Sequence, residues 1–130
     1  MKYLLDTCVI SDYFRRVGGV HERVHAEPPY QLGVSAITEH EVRFGLELKP
    51  APRLEQQVNR LFSTIDVLPF DRDDARAAAG VRASLRKGGE PIGDFDALLA
   101  GVALARRLIF VTSNVREFER VRGLEVVNWR

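Results

Sequence analysis

Short apolar runs alternate with segments of helical spacing along the whole of this sequence, and that alternation is the strongest constraint on how it can fold. Apolar runs bounded by turn signals read as buried strands, and strands joined through helices pair in parallel because a parallel neighbour can only be reached by a crossover. The first run, Lys2 to Leu5 with Val9 and Ile10 beyond, surrounds Asp6 with apolar residues, as expected of a buried strand ending in a functional turn. Residues 11–16 and 20–27 read as short helices separated by Gly18 and Gly19, and Pro28-Pro29 stops the second. A strand follows over 31–34, then a helix over 37–48 in which Thr38 and Glu41 have the spacing of a capping box.

Beyond Pro50 and Pro52, the three- and four-residue spacing of Leu54, Val58, Leu61, Phe62 and Ile65 marks an amphipathic helix, and 67–70 a short strand. Residues 71–87 carry acids at the start and bases at the end, as the helix dipole favours, and read as a solvent-facing helix closed by Gly88-Gly89. A nearly all-apolar helix over 94–107, a strand over 108–111, a turn at Asn114 and a last strand over 124–127 complete the chain. The order predicts a three-layer α/β sandwich whose central, mainly parallel sheet is flanked by helices, formed as one domain over residues 1–130.

Composition narrows the function. A chain 45% hydrophobic and 28% charged is suited to a compact globule, and no apolar stretch approaches membrane-spanning length. Its net charge of +1 supplies no overall field to hold a polyanion, so any nucleic acid must be met by local patches. The single cysteine, Cys8, cannot close an internal disulfide, and nothing after Met1 resembles a signal peptide, so the expected compartment is the cytoplasm.

Four polar residues fall where strands hand over to helices: Asp6, Glu41, Asp96 and Asn114. In an open parallel sheet the carboxyl ends of the strands share one edge, so residues distant in sequence can meet there. Two carboxylates about 4 Å apart repel by roughly 4 kcal/mol at an effective dielectric near 20, so such a cluster needs protons or cations. Oxygen ligands without paired histidines favour Mg²⁺ or Mn²⁺ over zinc. Such an ion activates water and stabilises charge on a phosphodiester, which points to hydrolysis of a nucleic-acid backbone. Each residue alone has a plainer reading: Asp6 as a cap, Glu41 as the partner of Thr38, Asp96 as a first-turn charge, Asn114 as a turn former.

The segments LLDTCVIS at 4–11, SAITEHEVRFG at 35–45, IGDFDALLAG at 92–101 and TSNVREFERVRGLEVVNW at 112–129 together resemble the VapC-type toxins, PIN-domain ribonucleases of type II toxin–antitoxin systems. The resemblance spans the chain in order. It implies a PIN-like fold, Mg²⁺- or Mn²⁺-dependent endonucleolytic cleavage of RNA, a transfer RNA by analogy, a homodimer, and a VapB-like antitoxin that blocks the site. By motif it places metal at Asp6 and Asp96, with Glu41 completing the acidic site. Asn114 stands where many PIN domains have an acid. Glu117 of the following Arg-Glu-Phe segment either reaches the site, directly or through water, or pairs on the surface. That substitution leaves a second reading, a catalytically silent PIN-like module that binds RNA or protein.

Among the remaining residues, Thr7 can hold a phosphate oxygen or Asp6 through its hydroxyl, or bond the local backbone. Arg43 and Arg116 can line a phosphate path or belong to solvated helix faces. Asp94 is expected to cap the helix that follows it. His21 and His25 have helical spacing, which permits zinc but more often marks a solvated face, and Trp129 is expected to pack. A phosphotransfer enzyme of the haloacid-dehalogenase kind would want a second aspartate where Cys8 stands.

Overall fold

A computed structural model describes all residues, Met1–Arg130. Five short strands, β1 (Tyr3–Leu5), β2 (Leu32–Ser35), β3 (Asp66–Leu68), β4 (Ile109–Val111) and β5 (Val126–Val127), form one sheet in the order β3-β2-β1-β4-β5. Every pairing is parallel, so the sheet is wholly rather than mainly so. Between the strands run α1 (Thr7–Arg15), α2 (Val20–Ala26), α3 (Ala36–Leu48), α4 (Pro52–Thr64), α5 (Arg72–Lys87), α6 (Asp94–Arg106) and α7 (Val115–Phe118).

Alternation along each strand divides the core between the two faces. Leu4 and Phe110 point to one side and join Leu99, Val102, Val81 and Phe118 from the C-terminal helices. Leu5 and Val111, one residue on, point to the other and join Val9, Ile10, Val20, Val24 and Leu61. Val9 and Ile10 thus belong to a helix rather than to an extension of the first strand. Asp6 is the N-cap of α1, with its Oδ1 accepting the Thr7 N–H at 2.7 Å, so the chain turns directly from strand into helix at that residue.

The expected solvent-facing helix, α5, is half buried. Asp74, Ala78, Val81 and Leu85 make a stripe at helical spacing that lies on α6, where a Cβ placed on Gly101 would stand 2.5 Å from the Ala78 nitrogen. Arg106, at the end of α6, bonds Asp74 (3.2 and 3.0 Å) and Asp71 (3.5 Å) at the start of α5, so the two helices run antiparallel. Asp71 and Asp74 form the reciprocal capping box expected of a helix start. Small residues hid this buried face from a reading based on hydrophobic size. At the C-terminus Trp129 packs edge-on against Tyr3, and Arg130 forks onto the buried Asp12 at 2.9 and 3.1 Å.

Candidate active site

The strand order reverses direction at β1: from there the chain moves to β2 on one side and later to β4 on the other. This is the topological switch point, where open α/β sheets form ligand crevices at the carboxyl ends of their strands. Asp6 ends β1 there, and Thr112 follows β4 beside it. The Thr112 hydroxyl donates to Asp6 Oδ2 at 2.7 Å and accepts the Asn114 N–H at 3.0 Å, tying the two strand ends together. The Cys8 thiol adds a longer bond to the same Oδ2 at 3.4 Å. Burial pushes the Asp6 carboxyl above the usual carboxylate range, against these hydrogen bonds, and the Glu41 charge adds to the rise. Burial, then the Asp6 charge, push the Cys8 thiol up, so it stands as a protonated donor rather than a nucleophile.

Glu41 reaches the crevice from α3, where the capping-box expectation is corrected. Ser35 caps α3 by accepting the Ile37 N–H at 3.1 Å, and Thr38 lies inside the helix, fully buried. Glu41 is therefore free of Thr38; its Oε1 accepts the Thr7 hydroxyl at 2.7 Å, and Thr38 sits 3.2 Å behind that hydroxyl. Thr7 bonds Asp6 by its backbone and Glu41 by its side chain, so it holds the two acids relative to each other.

Asp96 lies in the first turn of α6. Gly93, not Asp94, is the N-cap; Asp94 is the first helical residue and makes an exposed ion pair with Arg82 at 2.9 Å. A Cβ on Gly93 would stand 2.9 Å from Asp96 Oδ2, so the missing side chain makes room for that carboxylate. The Asp96 carboxyl is held up to about 6 by partial burial and then by the charges of Asp6, Glu117 and Glu41, in that order. The charges of Asp6 before α1, Glu41 on α3 and Glu117 on α7 thus act on Asp96 at one sheet edge. Asn114 caps α7, and its Nδ2 donates to Glu117 Oε2 at 2.9 Å. The amide orients Glu117.

The basic residues sit differently. Arg43 is paired with Glu39 at 3.1 Å, and its guanidinium lies over the Phe62 ring at 5.9 Å. Arg116 is exposed on α7, next to Glu117 in sequence. Two residues gained weight only in three dimensions, Thr112 as a donor to Asp6 and Gly93 as the space for Asp96. Threonine after a strand and glycine before a helix are too common in sequence to announce either.

The donor set fits a hard divalent cation. Every candidate ligand is oxygen, and the Asp96 carboxyl is raised by burial first and then by the neighbouring acids Asp6, Glu117 and Glu41. No three acidic, histidine or cysteine side chains stand close enough to enclose an ion by themselves, so water must complete its coordination.

A parallel α/β sandwich with acids converging on its switch point defines the class: a protein with the framework of an acid-dependent nuclease. The PIN domain family's sequence profile matches residues 3–124, and the chain belongs to that family. Within it the chain is 37% identical to the tRNA(fMet)-specific endonuclease VapC of Shigella flexneri, over 99% of this chain and 98% of the relative. It is 34% identical to ribonuclease VapC2 of Haemophilus influenzae over the same shares. The fold superposes on a chain of DNA-bound VapBC from Salmonella typhimurium with a TM-score of 0.88, at 34% identity and covering 100% and 99% of the two chains. VapBC-1 of nontypeable Haemophilus influenzae gives 0.85 at 28% identity, over 99% and 98%.

Proposed function

We propose that this chain is the ribonuclease toxin of a VapBC-type toxin–antitoxin pair, cleaving RNA with Mg²⁺ or Mn²⁺ held by Asp6 and Asp96. The observation that supports this most is the convergence of the Asp6, Glu41 and Glu117 charges on the Asp96 carboxyl. Bound there, the cation would activate water and offset charge on the phosphodiester. Asp6, fixed by the Thr7 amide and the Thr112 hydroxyl, presents one carboxylate in a set direction. Glu41 is anchored by Thr7, and Glu117 is kept at the edge of the cleft by the Asn114 amide. Retention of Glu117 by that amide favours an active enzyme over a silent binding module, because an acid is supplied shortly after β4 although Asn114 itself is neutral. Arg116, exposed beside Glu117, is the basic residue best placed to meet a phosphate.

Its relative in Shigella acts on tRNA(fMet), and a transfer RNA is the substrate class proposed here. An antitoxin that places a basic side chain in the acidic cleft would silence it. A second copy is also part of this reading, although the nearly all-apolar α6 leaves little surface for it. Leu99 and Val102 are buried within the chain, and Leu98 and Leu104 mostly so. The exposed large apolar side chains of these helices are instead Phe44 and Leu48 of α3 and Phe95 of α6. The test is incubation of the purified chain with total transfer RNA and Mg²⁺, followed by mapping of the new ends. Discrete cuts that vanish with chelator are expected; intact RNA that nevertheless stays bound would favour the silent module.

A further inference from the structure

The opposite edge of the sheet carries a second set of ligating groups. Leu32 begins β2 and Ile65 immediately precedes β3, so the cavity they help to line, about 370 Å³, lies at the amino ends of the strands. His21 and His25 face it from α2, one helical turn apart, with ring centroids 4.5 Å from each other. His21 is stacked on Tyr13 of α1 at 4.5 Å with planes 18° apart. Its Nδ1 lies 3.3 Å from the Tyr13 carbonyl oxygen, which only accepts, so Nδ1 carries the proton and Nε2 keeps a free lone pair. The Nε2 of His25 lies 3.0 Å from the Tyr13 hydroxyl. When that hydroxyl accepts, the lone pair of His25 moves to Nδ1.

We propose that His21 and His25 bind a nitrogen-seeking divalent transition metal, Zn²⁺, Ni²⁺ or Cu²⁺, with Tyr13 holding both rings in the ligating tautomer. Ligating histidines commonly donate their other N–H to a carbonyl or hydroxyl in this way. Metal–nitrogen bonds of about 2.1 Å let one ion span two rings at this spacing. Imidazole discriminates against Mg²⁺ and Mn²⁺ by the ordinary order of divalent affinities, so this site and the acidic cleft select different ions. Arg16 and Arg60 line the same cavity and weaken any purely electrostatic hold on a hard cation, while Glu27 offsets part of their charge. Only two protein nitrogens are supplied, so water fills the remaining positions.

The test uses the full chain without a histidine tag, stripped with chelator and titrated with Zn²⁺ by calorimetry in excess Mg²⁺, which occupies the acidic cleft. One equivalent of Zn²⁺ is expected to bind. His21→Ala and His25→Ala should each weaken it by roughly 100-fold, and Tyr13→Phe, which keeps the ring but loses the hydroxyl, by about 10-fold. Asp6→Asn should leave it unchanged. On the unaltered protein, substoichiometric Cu²⁺ should broaden the ring signals of His21 and His25 before that of His40. Absence of a Zn²⁺ isotherm in excess Mg²⁺, or one untouched by both histidine substitutions, overturns the proposal. So does broadening that begins at His40.

Discussion

Replacing Asp96 by asparagine removes the charge most at odds with its surroundings. Its carboxyl is held up to about 6 against an ordinary 3.8, a gap of roughly 2 pH units, or about 3 kcal/mol if fully expressed. Asp96 is only half buried, so solvent screening reduces this to about 1–2 kcal/mol. Because the folded pKa exceeds the unfolded one, the native state binds the proton more tightly. The contribution of Asp96 to metal-free stability is therefore greatest below pH 3.8 and falls as the pH rises to about 6, above which the penalty is complete. Asp96→Asn lacks that penalty. At pH 7 in chelator it should be more stable than wild type by about 1–2 kcal/mol, and the two should converge toward pH 4. Saturating Mg²⁺ should reverse the order, since a ligand at a hundred times its Kd adds about 2.7 kcal/mol to the protein that binds it. Urea unfolding between pH 4 and 8, with and without Mg²⁺, measures both effects. A variant less stable than wild type at pH 7 in chelator, or one with an unchanged pH profile, would refute the reading that burial and the neighbouring acids hold the Asp96 carboxyl up.

Gly93→Ala drives a Cβ to 2.9 Å from Asp96 Oδ2, so the carboxylate should swing aside and cleavage fall about tenfold or more, with the melting temperature little changed. Thr112→Val leaves Asp6 Oδ2 without its best donor and the Asn114 N–H without an acceptor; an expected loss of about 1–3 kcal/mol is read by denaturation, and a 10- to 100-fold weaker metal affinity by titration. Glu117→Gln should raise the Mn²⁺ concentration needed for half-maximal cleavage, and Asn114→Asp should lower it. Arg130→Ala strands the buried Asp12 carboxylate and should lower the melting temperature without changing metal affinity.

The layered α/β fold was legible because its signals are local. The continuous apolar runs at Leu4-Leu5 and Phe110-Val111, buried on both faces of the sheet, and the turn residues between segments agree with the final topology. Asp6 could be placed because a strand end in a parallel sheet has one place to be. Asp96, expected where a strand hands over to a helix, instead lies in the first turn of α6 after a helix–helix connection from α5, so strand-end logic did not position it. Details set by competition among neighbours were not legible either. Thr38 and Glu41 have capping-box spacing, but Ser35 takes the cap and releases Glu41 to Thr7. Asp94 matches a cap by type, yet the helix begins one residue earlier and the side chain turns to Arg82. The contacts of Asp12 with Arg130, Ala78 with Gly101 and Tyr13 with the two histidines join segments whose approach no local pattern encodes.

Binding and catalysis must share the same acids if Asp6 and Asp96 hold the ion that cleaves RNA. The most direct test is Mn²⁺ titration by electron paramagnetic resonance of wild type, Asp6→Asn and Asp96→Asn, with single-turnover cleavage of transfer RNA followed on the same samples. Both substitutions should weaken Mn²⁺ binding and abolish cleavage together, while far-ultraviolet circular dichroism stays that of the wild type. Either variant cutting RNA at the wild-type rate, or binding Mn²⁺ with wild-type affinity, would contradict the assignment.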